Sequence, residues 1–420
     1  MATTITAGNA TNGAAISSDN TGILELKTGT GAGTTAVTIG TDQSVTFAGA
    51  ISSSGNQTVT GNLTVNGNTT LGDANTDTIL MTAAPSIGGA GLGMGFGFRN
   101  RIINGAMAIN QRVSSLSTNN TQGYYVDRMW GFSGVSTAVT FSQIGSTGLA
   151  GFPNAARVQR TAATTGINNM FTGQIVESNN LQDLQGQTVS ISFWARAGAN
   201  CSASASGLLV YLRTGTTADQ GLNALISGWA GAVDQNTTVT LTTSWQRFTV
   251  TSFSVPSNAQ ELTVFFGYAP TGTAGANDWF DITGVQLEKG STATSFDYRP
   301  YGTELALCQR YYYRTTPGAG DRWFGSAQVS SSTTCYADVP FPVPMRSAPS
   351  ALEQSGTASD YRVWASGAGT VTCSGVPAFY NASTMASTIT GTVASGITAG
   401  NATTLRASNA TAYLGWSAEL

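Results

Sequence analysis

The chain has 420 residues, and only 9% of them are charged: 18 Lys or Arg against 21 Asp or Glu, a net charge of −3. An apolar share of 41% is too high for intrinsic disorder, and so weak a charge leaves no electrostatic footprint for nucleic acid. The absence of any His removes the commonest general base, the Ser-His-Asp triad and the imidazole ligands of most catalytic zinc sites.

The opening MATTITAGNATNGAA has neither a basic region nor an apolar stretch. Nowhere do 18 apolar residues run together, so neither a secretory signal nor a membrane span is expected, and assembly is expected in the cytoplasm. Composition changes near residue 95. Before it stand a single aromatic, Phe47, and few charged residues, Glu25, Lys27, Asp42, Asp73 and Asp77 among them; all arginines and tryptophans follow. Residues 41–95 carry short alternating runs (Val45/Phe47, Val59, Leu63/Val65, Leu71) broken by Gly49, Gly55, Gly61, Gly67 and Gly72. Period-two alternation between glycine turns predicts very short β-strands in repeat. Each would bury one or two side chains, so stability must come from stacking on neighbours or on other copies of the chain, most simply as a homotrimer. The glycines of GGAGLGMGFGF (88–98) lack a Lys-Ser/Thr and a βαβ context, which excludes a phosphate loop and leaves a hinge.

From 96 to 301 the pattern is all-β. TVSISFWARA places Val189, Ile191, Phe193 and Ala195 on one face, and GLLVYLRT, TTVTLTTSWQRFTVTSFSV, ELTVFFGYA and DWFDITGVQLEKG continue with turns between them. This predicts an antiparallel two-sheet sandwich of jelly-roll kind, with Trp194 and Trp245 in its core. GTELALCQRYYYRT (302–315) reads as a linking helix with Thr303 as its cap and Glu304 at its start. Residues 316–420 read as a distal β domain in which Pro340, Pro342, Pro344 and Pro349 confine PFPVPMRSAP to an edge or an extended connection. Cys201, Cys308, Cys335 and Cys373 form no CxxC pair and read as free thiols.

The strings NRIINGAMAINQRV, YYVDRMW, ISFWARA, TSWQRFTV, QLEKGSTATSFDYRPYGTELALCQRYYYR, VPFPVPMRSAP and GWSAEL closely resemble tail-fibre and related structural proteins of tailed bacteriophages, and TGNLTVNGNTTLGD resembles the shaft of cyanophage-type fibres. The resemblance implies an elongated all-β homotrimer in a virion. Residues 1–40 would attach to the phage tail, baseplate or another virion protein, and the far end would face a host surface glycan, lipopolysaccharide or capsule. It implies structural roles for Asn104, Gly105, Gln111, Arg112, Asp127 and Arg128 where the sandwich begins and for Phe296, Arg299, Pro300 and Tyr301 where it ends. The two ends are expected to meet, with Asp127 or Glu288 paired to an arginine such as Arg299. The sandwich also resembles carbohydrate-binding modules.

A glycan site needs aromatic faces for sugar C–H surfaces and polar groups for hydroxyls. Aromatics in Gly/Ser-rich loops with few charges suit a neutral polysaccharide, and the candidates are Trp229, Tyr268, Asp278, Trp279, Trp323, Tyr361, Trp364 and Tyr380. Asp278 and Asp281 are weak calcium candidates. No cofactor, nucleic acid or membrane partner is expected. No pair of carboxylates stands out for glycan cleavage, so a non-enzymatic adhesin is the first expectation, a purely structural fibre or head decoration the second and a depolymerase the third.

Overall fold

The computed structural model describes residues 24–28, 34–39, 41–42, 44–48, 50–51, 58–60, 64–65, 86–87, 90–91, 99–112, 115–318, 322–365, 367 and 369–420. They belong to two compact units, Met1–Met81 and Thr82–Leu420. In the first unit β1 (Leu24–Thr28), β2 (Thr34–Ile39) and β3 (Val45–Phe47) form a three-stranded antiparallel sheet. The repeat glycines Gly49 to Gly72 lie outside the described residues.

The second unit opens with the paired β4 (Ser86–Ile87) and β5 (Ala90–Gly91). The sandwich strands are β6 (Ser115–Thr118), β7 (Gln122–Val126), β8 (Met129–Ser133), β9 (Val139–Leu149), β10 (Phe152–Arg160) and β11 (Met170–Val176). They continue with β12 (Thr188–Ala197), β13 (Gly207–Gly215), β14 (Val233–Thr240), β15 (Gln246–Ser254), β16 (Glu261–Tyr268) and β17 (Trp279–Lys289). Two antiparallel sheets result, ordered β15-β12-β17-β10-β9-β6 and β14-β13-β16-β11-β8-β7. The expected all-β sandwich is there, and Val189, Ile191, Phe193 and Ala195 are fully buried on one face of β12 as the alternation requires. Trp194 and Trp245, expected in the core, are only half-buried on the outer face.

The ends of the sandwich meet. Backbone N–H groups of Arg99 and Asn100 donate to Asp297, and Asn100 Nδ2 donates to Val285 O at 3.0 Å. Gly105 lies so close to this junction that a Cβ would sit 2.1 Å from Val285 O. Asp127 is paired to an arginine as expected, but that arginine is Arg112, at 3.8 Å; Arg299 pairs with Glu304 at 3.1 Å, and Glu288 accepts from Gln286 and Thr294.

Besides a short helix, α1 (Leu222–Ser227), within the sandwich, α2 (Tyr301–Gln309) is shorter than the expected 302–315. Thr303 lies inside it, and Pro300, which has no N–H to satisfy, holds the cap position. The remaining tyrosines leave the helix because β18 (Tyr312–Thr315) pairs with β27 (Leu414–Ser417), which also holds β21 (Glu353–Gln354). Packed on this small sheet is a seven-stranded one built from β19 (Arg322–Val329), β20 (Thr334–Pro340), β22 (Tyr361–Ala365), β23 (Gly369–Thr372), β24 (Ala378–Ala382), β25 (Ala386–Thr392) and β26 (Ala402–Ala407). Its order is β23-β22-β26-β19-β20-β25-β24. Tyr361, Val363, Leu405, Ile389, Cys335 and Trp416 fill the core between the two. The proline-rich 341–350 is an extended connection, and all four cysteines are free thiols.

Glu261 begins β16 with no exposure at all. Its Oε2 accepts from the Gln220 N–H at 2.8 Å, but Oε1 is buried without a hydrogen bond. Burial pushes the carboxyl from its usual 4.5 up to about 7; the Gln220 bond opposes this and the nearby Asp219 charge adds to it. The unfolded chain therefore releases this proton at lower pH than the folded one. The stability Glu261 contributes is complete below the unfolded value of 4.5 and is lost as pH rises to about 7. In Glu261→Gln the Gln220 bond is kept and the titration removed. Thermal melts between about pH 5 and pH 7.5 should show the wild type losing stability relative to this variant as pH rises; parallel curves would overturn the assignment.

Candidate functional site

Strand parity builds an aromatic trough on the outer face of the β14-β13-β16-β11-β8-β7 sheet. In β13, Leu208, Val210 and Leu212 are wholly buried in the core, which turns Tyr211 and Arg213 outward. The register then sets Tyr211 opposite Phe265, Phe265 opposite Gly173, Gly173 opposite Trp130, and Trp130 opposite Tyr124, one row across five strands. The next row holds Gly267, Phe171 and Phe132.

The rings interlock. Tyr211 stacks on Phe265 with centroids 4.6 Å apart and planes 2° from parallel, and Phe171 meets both edge-on at 5.8 and 5.4 Å. Two glycines make the room. A Cβ on Gly173 would fall 2.5 Å from that of Phe265, and one on Gly267 would fall 2.5 Å from the Phe171 ring. Trp130 and Phe265 form the floor of a trough of about 270 Å³; Phe132, Phe171 and Tyr211 are half-buried in its walls, and Ile226 stands exposed at its lip. The polar rim is Arg213, which grips Asp234 through Nε and Nη2 at 2.6 and 2.7 Å and donates to Leu225 O at 3.1 Å, together with exposed Asn169. The Asp234 bond raises the Arg213 pKa, burial opposing it. Flat apolar rings edged by fixed donors and acceptors are what a pyranose needs from a protein.

The far end of the chain packs behind the trough. Leu420 packs with Trp130, Leu222, Leu225 and Trp229, and the Tyr124 hydroxyl donates to Leu420 O at 2.8 Å. The neighbouring Glu419 is held by Arg128 and, at 2.8 Å, by Arg112, both guanidiniums being nearly or wholly buried. Arg112 lies 3.7 Å over the Tyr312 ring and Arg128 3.6 Å over Tyr311. Against the lowering effect of burial, Glu419 keeps the Arg128 pKa above its ordinary value.

Several residues expected at a sugar site are packing residues. Trp229 is buried behind the trough wall and Tyr361 in the distal core, where its hydroxyl donates to Tyr413 O at 2.6 Å. Tyr268 is buried and donates to Asp278 at 2.9 Å, and Asp278 itself is fully buried, accepting from Arg160 at 2.8 Å and from Ser202. Asp281 is likewise buried between Arg157 and Arg196, at 2.7 and 2.9 Å. Guanidiniums thus occupy the carboxylates proposed for calcium, and no group of three or more His, Cys, Asp or Glu fit to hold a metal occurs among the described residues. Trp279 is half-buried under Arg157, 3.9 Å from its ring. Trp323 and Tyr380 are exposed and Trp364 is half-buried, all in the distal domain. Trp130, Phe132, Phe171, Tyr211 and Phe265 were not among the sequence candidates.

No known family and no curated protein matches the chain. Solved structures similar to part of it include the C-terminal family 22 carbohydrate binding module of Clostridium thermocellum Xyn10B (15% identity, 39% of this chain and 88% of that one, TM-score 0.27). Another is TmCBM61 in complex with β-1,4-galactotriose (11% identity, 46% of this chain and 99% of that one, TM-score 0.25). A third is the CBM22-2 xylan-binding domain of Paenibacillus barcinonensis Xyn10C (16% identity, 36% of this chain and 87% of that one, TM-score 0.25). Likeness at this level carries no information about a ligand.

Removing Glu419 tests this anchorage. Glu419→Ala leaves two buried arginines without their shared carboxylate, a change that costs about 3 kcal/mol or more. The melting temperature should fall by several degrees, and limited proteolysis should release the last strand more readily. A variant that melts and digests like the wild type would show that the ion pairs are dispensable.

Proposed function

We propose that this chain is a glycan-binding structural protein of a bacteriophage virion: a homotrimeric tail fibre that attaches the particle to host-surface polysaccharide. The aromatic trough on the sandwich carries the binding part of this reading. Its rings are fixed before any ligand arrives, so little side-chain ordering opposes association. Only one carboxylate lines it, Asp234, and Arg213 holds both of its oxygens. Glycoside hydrolysis calls for two carboxyl groups across the sugar, which favours binding without cleavage.

The virion and the fibre rest on the sequence resemblance, with the first residues docked on a tail, baseplate or other virion protein. The trimer is further supported by the first unit, where Phe47 is 47% and Ile51 61% exposed in the single chain, along with Leu26, Val45, Val59 and Val65. Burial by sister chains is the simplest source of the missing apolar contact.

Two measurements test the reading. Light scattering should give three times the 43.1 kDa chain mass; a monomer would remove the trimer. Calorimetry against neutral polysaccharides of host envelopes should show binding that Tyr211→Ala weakens about tenfold or more while the variant stays folded by circular dichroism. A wild type that binds none of them would leave the purely structural fibre or head decoration as the better account, and release of reducing sugar would establish a depolymerase.

A further inference from the structure

The outer face of the seven-stranded sheet carries a second arrangement, unlike the trough in charge. Parity again selects it: Tyr361, Val363 and Ala365 of β22 and Leu405 and Ala407 of β26 are buried in the core, so Arg362, Trp364, Thr404 and Arg406 face the other way. The register sets Arg362 opposite Arg406, and Arg406 opposite Trp323 of β19. The Arg406 guanidinium lies 5.1 Å from the Trp364 ring and 5.5 Å from the Trp323 ring, and its Nε donates to Thr404 Oγ1 at 2.8 Å. Trp323 is 63% exposed. Trp364, Thr404 and Arg406 line an open groove of about 330 Å³ with Ala402 and Thr403.

Charge distinguishes this face from the trough and from the stacked arginines of the sandwich. On the sandwich, Arg157 and Arg196 also lie over indoles, but Asp281 neutralises both. None of the ion pairs among the described residues involves Arg406. The carboxylate in the neighbouring row, Asp338, is two strands away, about 10 Å at the usual strand spacing, and it accepts from Thr388 at 2.6 Å.

We propose that this face binds an acidic polysaccharide, with sugar rings on Trp364 and Trp323, a uronate carboxylate at Arg406, and hydroxyls at Thr404. A single-stranded nucleic acid also pairs stacking with positive charge. It is disfavoured because a single arginine in the groove, on a chain of net charge −3, makes no track for a phosphate backbone. The site stands independently of the trough.

The test uses the full chain, with polygalacturonate as the acidic probe, its fully methyl-esterified form as the neutral one and oligo-dT as the nucleic acid. Polygalacturonate should bind, weaken with added salt, and bind better than the ester. Arg406→Gln should cut its affinity about tenfold, the loss of one charge-assisted contact, and Trp323→Ala, at an exposed position, should cut it similarly without changing the melting temperature. Tyr211→Ala should leave it unchanged, which separates this site from the trough. The proposal is overturned if polygalacturonate does not bind, if both distal variants bind it like the wild type, if only Tyr211→Ala loses it, or if oligo-dT binds more tightly.

Discussion

Glu419 is a carboxylate closed off from water between two arginines, and the joining of the sandwich to the distal domain depends on it. Arg128 holds the second position of a two-residue turn between β7 and β8 with φ near 71°, a left-handed conformation costly for a long side chain. The turn aims the guanidinium at Glu419 on one side and at Ile175 O, 2.5 Å away, on another. Arg346 adds hydrogen bonds to the carbonyls of Ala418 and Glu419 at 2.8 and 3.1 Å. Burying so many charges contributes little net stability compared with an apolar core of the same shape. What it fixes is placement: Glu419 seats next to both arginines in one position only, and that position sets Leu420 into the cluster behind Trp130.

The legible part of the fold was the part written in local alternation. TVSISFWARA, GLLVYLRT and ELTVFFGYA declare their strands and, in the first two, their core face. The overextended helix shows the limit. Nothing within GTELALCQRYYYRT stops a helix, since it has no internal Gly or Pro; it stops because Tyr312–Thr315 pairs with Leu414–Ser417, a partner about a hundred residues on. Asp278 and Asp281 looked available for a ligand for the same reason. Their arginines, Arg160, Arg157 and Arg196, come from other strands, and only the sheet register brings them together.

Sequence reasoning looks for sugar-binding aromatics in loops, where Trp229 stands, and so passes over the trough. The rings that line it sit in mid-strand. Part of the signal was present: Tyr211 has the opposite parity to Leu208, Val210 and Leu212, and ELTVFFGY is apolar at both parities, the mark of a strand covered on both faces. Sequence does not contain the alignment that puts Gly173 and Gly267 beside Phe265 and Phe171. A glycine in a strand costs stability, and here the cost leaves a depression where side chains would otherwise close the surface.

Arginine does nearly all the positive work in this chain, 16 of the 18 basic residues, and it does so repeatedly lying on rings. A guanidinium is planar and weakly hydrated, so it stacks where an ammonium would demand water. On a surface with 9% charge each such cation counts, and its counter-charge decides its role. Where a carboxylate is built in, as at Asp281, Asp234 or Glu419, the arginine is a fastener holding two elements of the fold. Where no ion pair occurs among the described residues, as at Arg406, the same stacked geometry leaves the counter-charge to be supplied from outside. Two faces of different charge on one chain would then read different sugars of one polymer. If three chains present them together, contacts that are weak singly combine through effective concentration, so neither face need bind tightly alone.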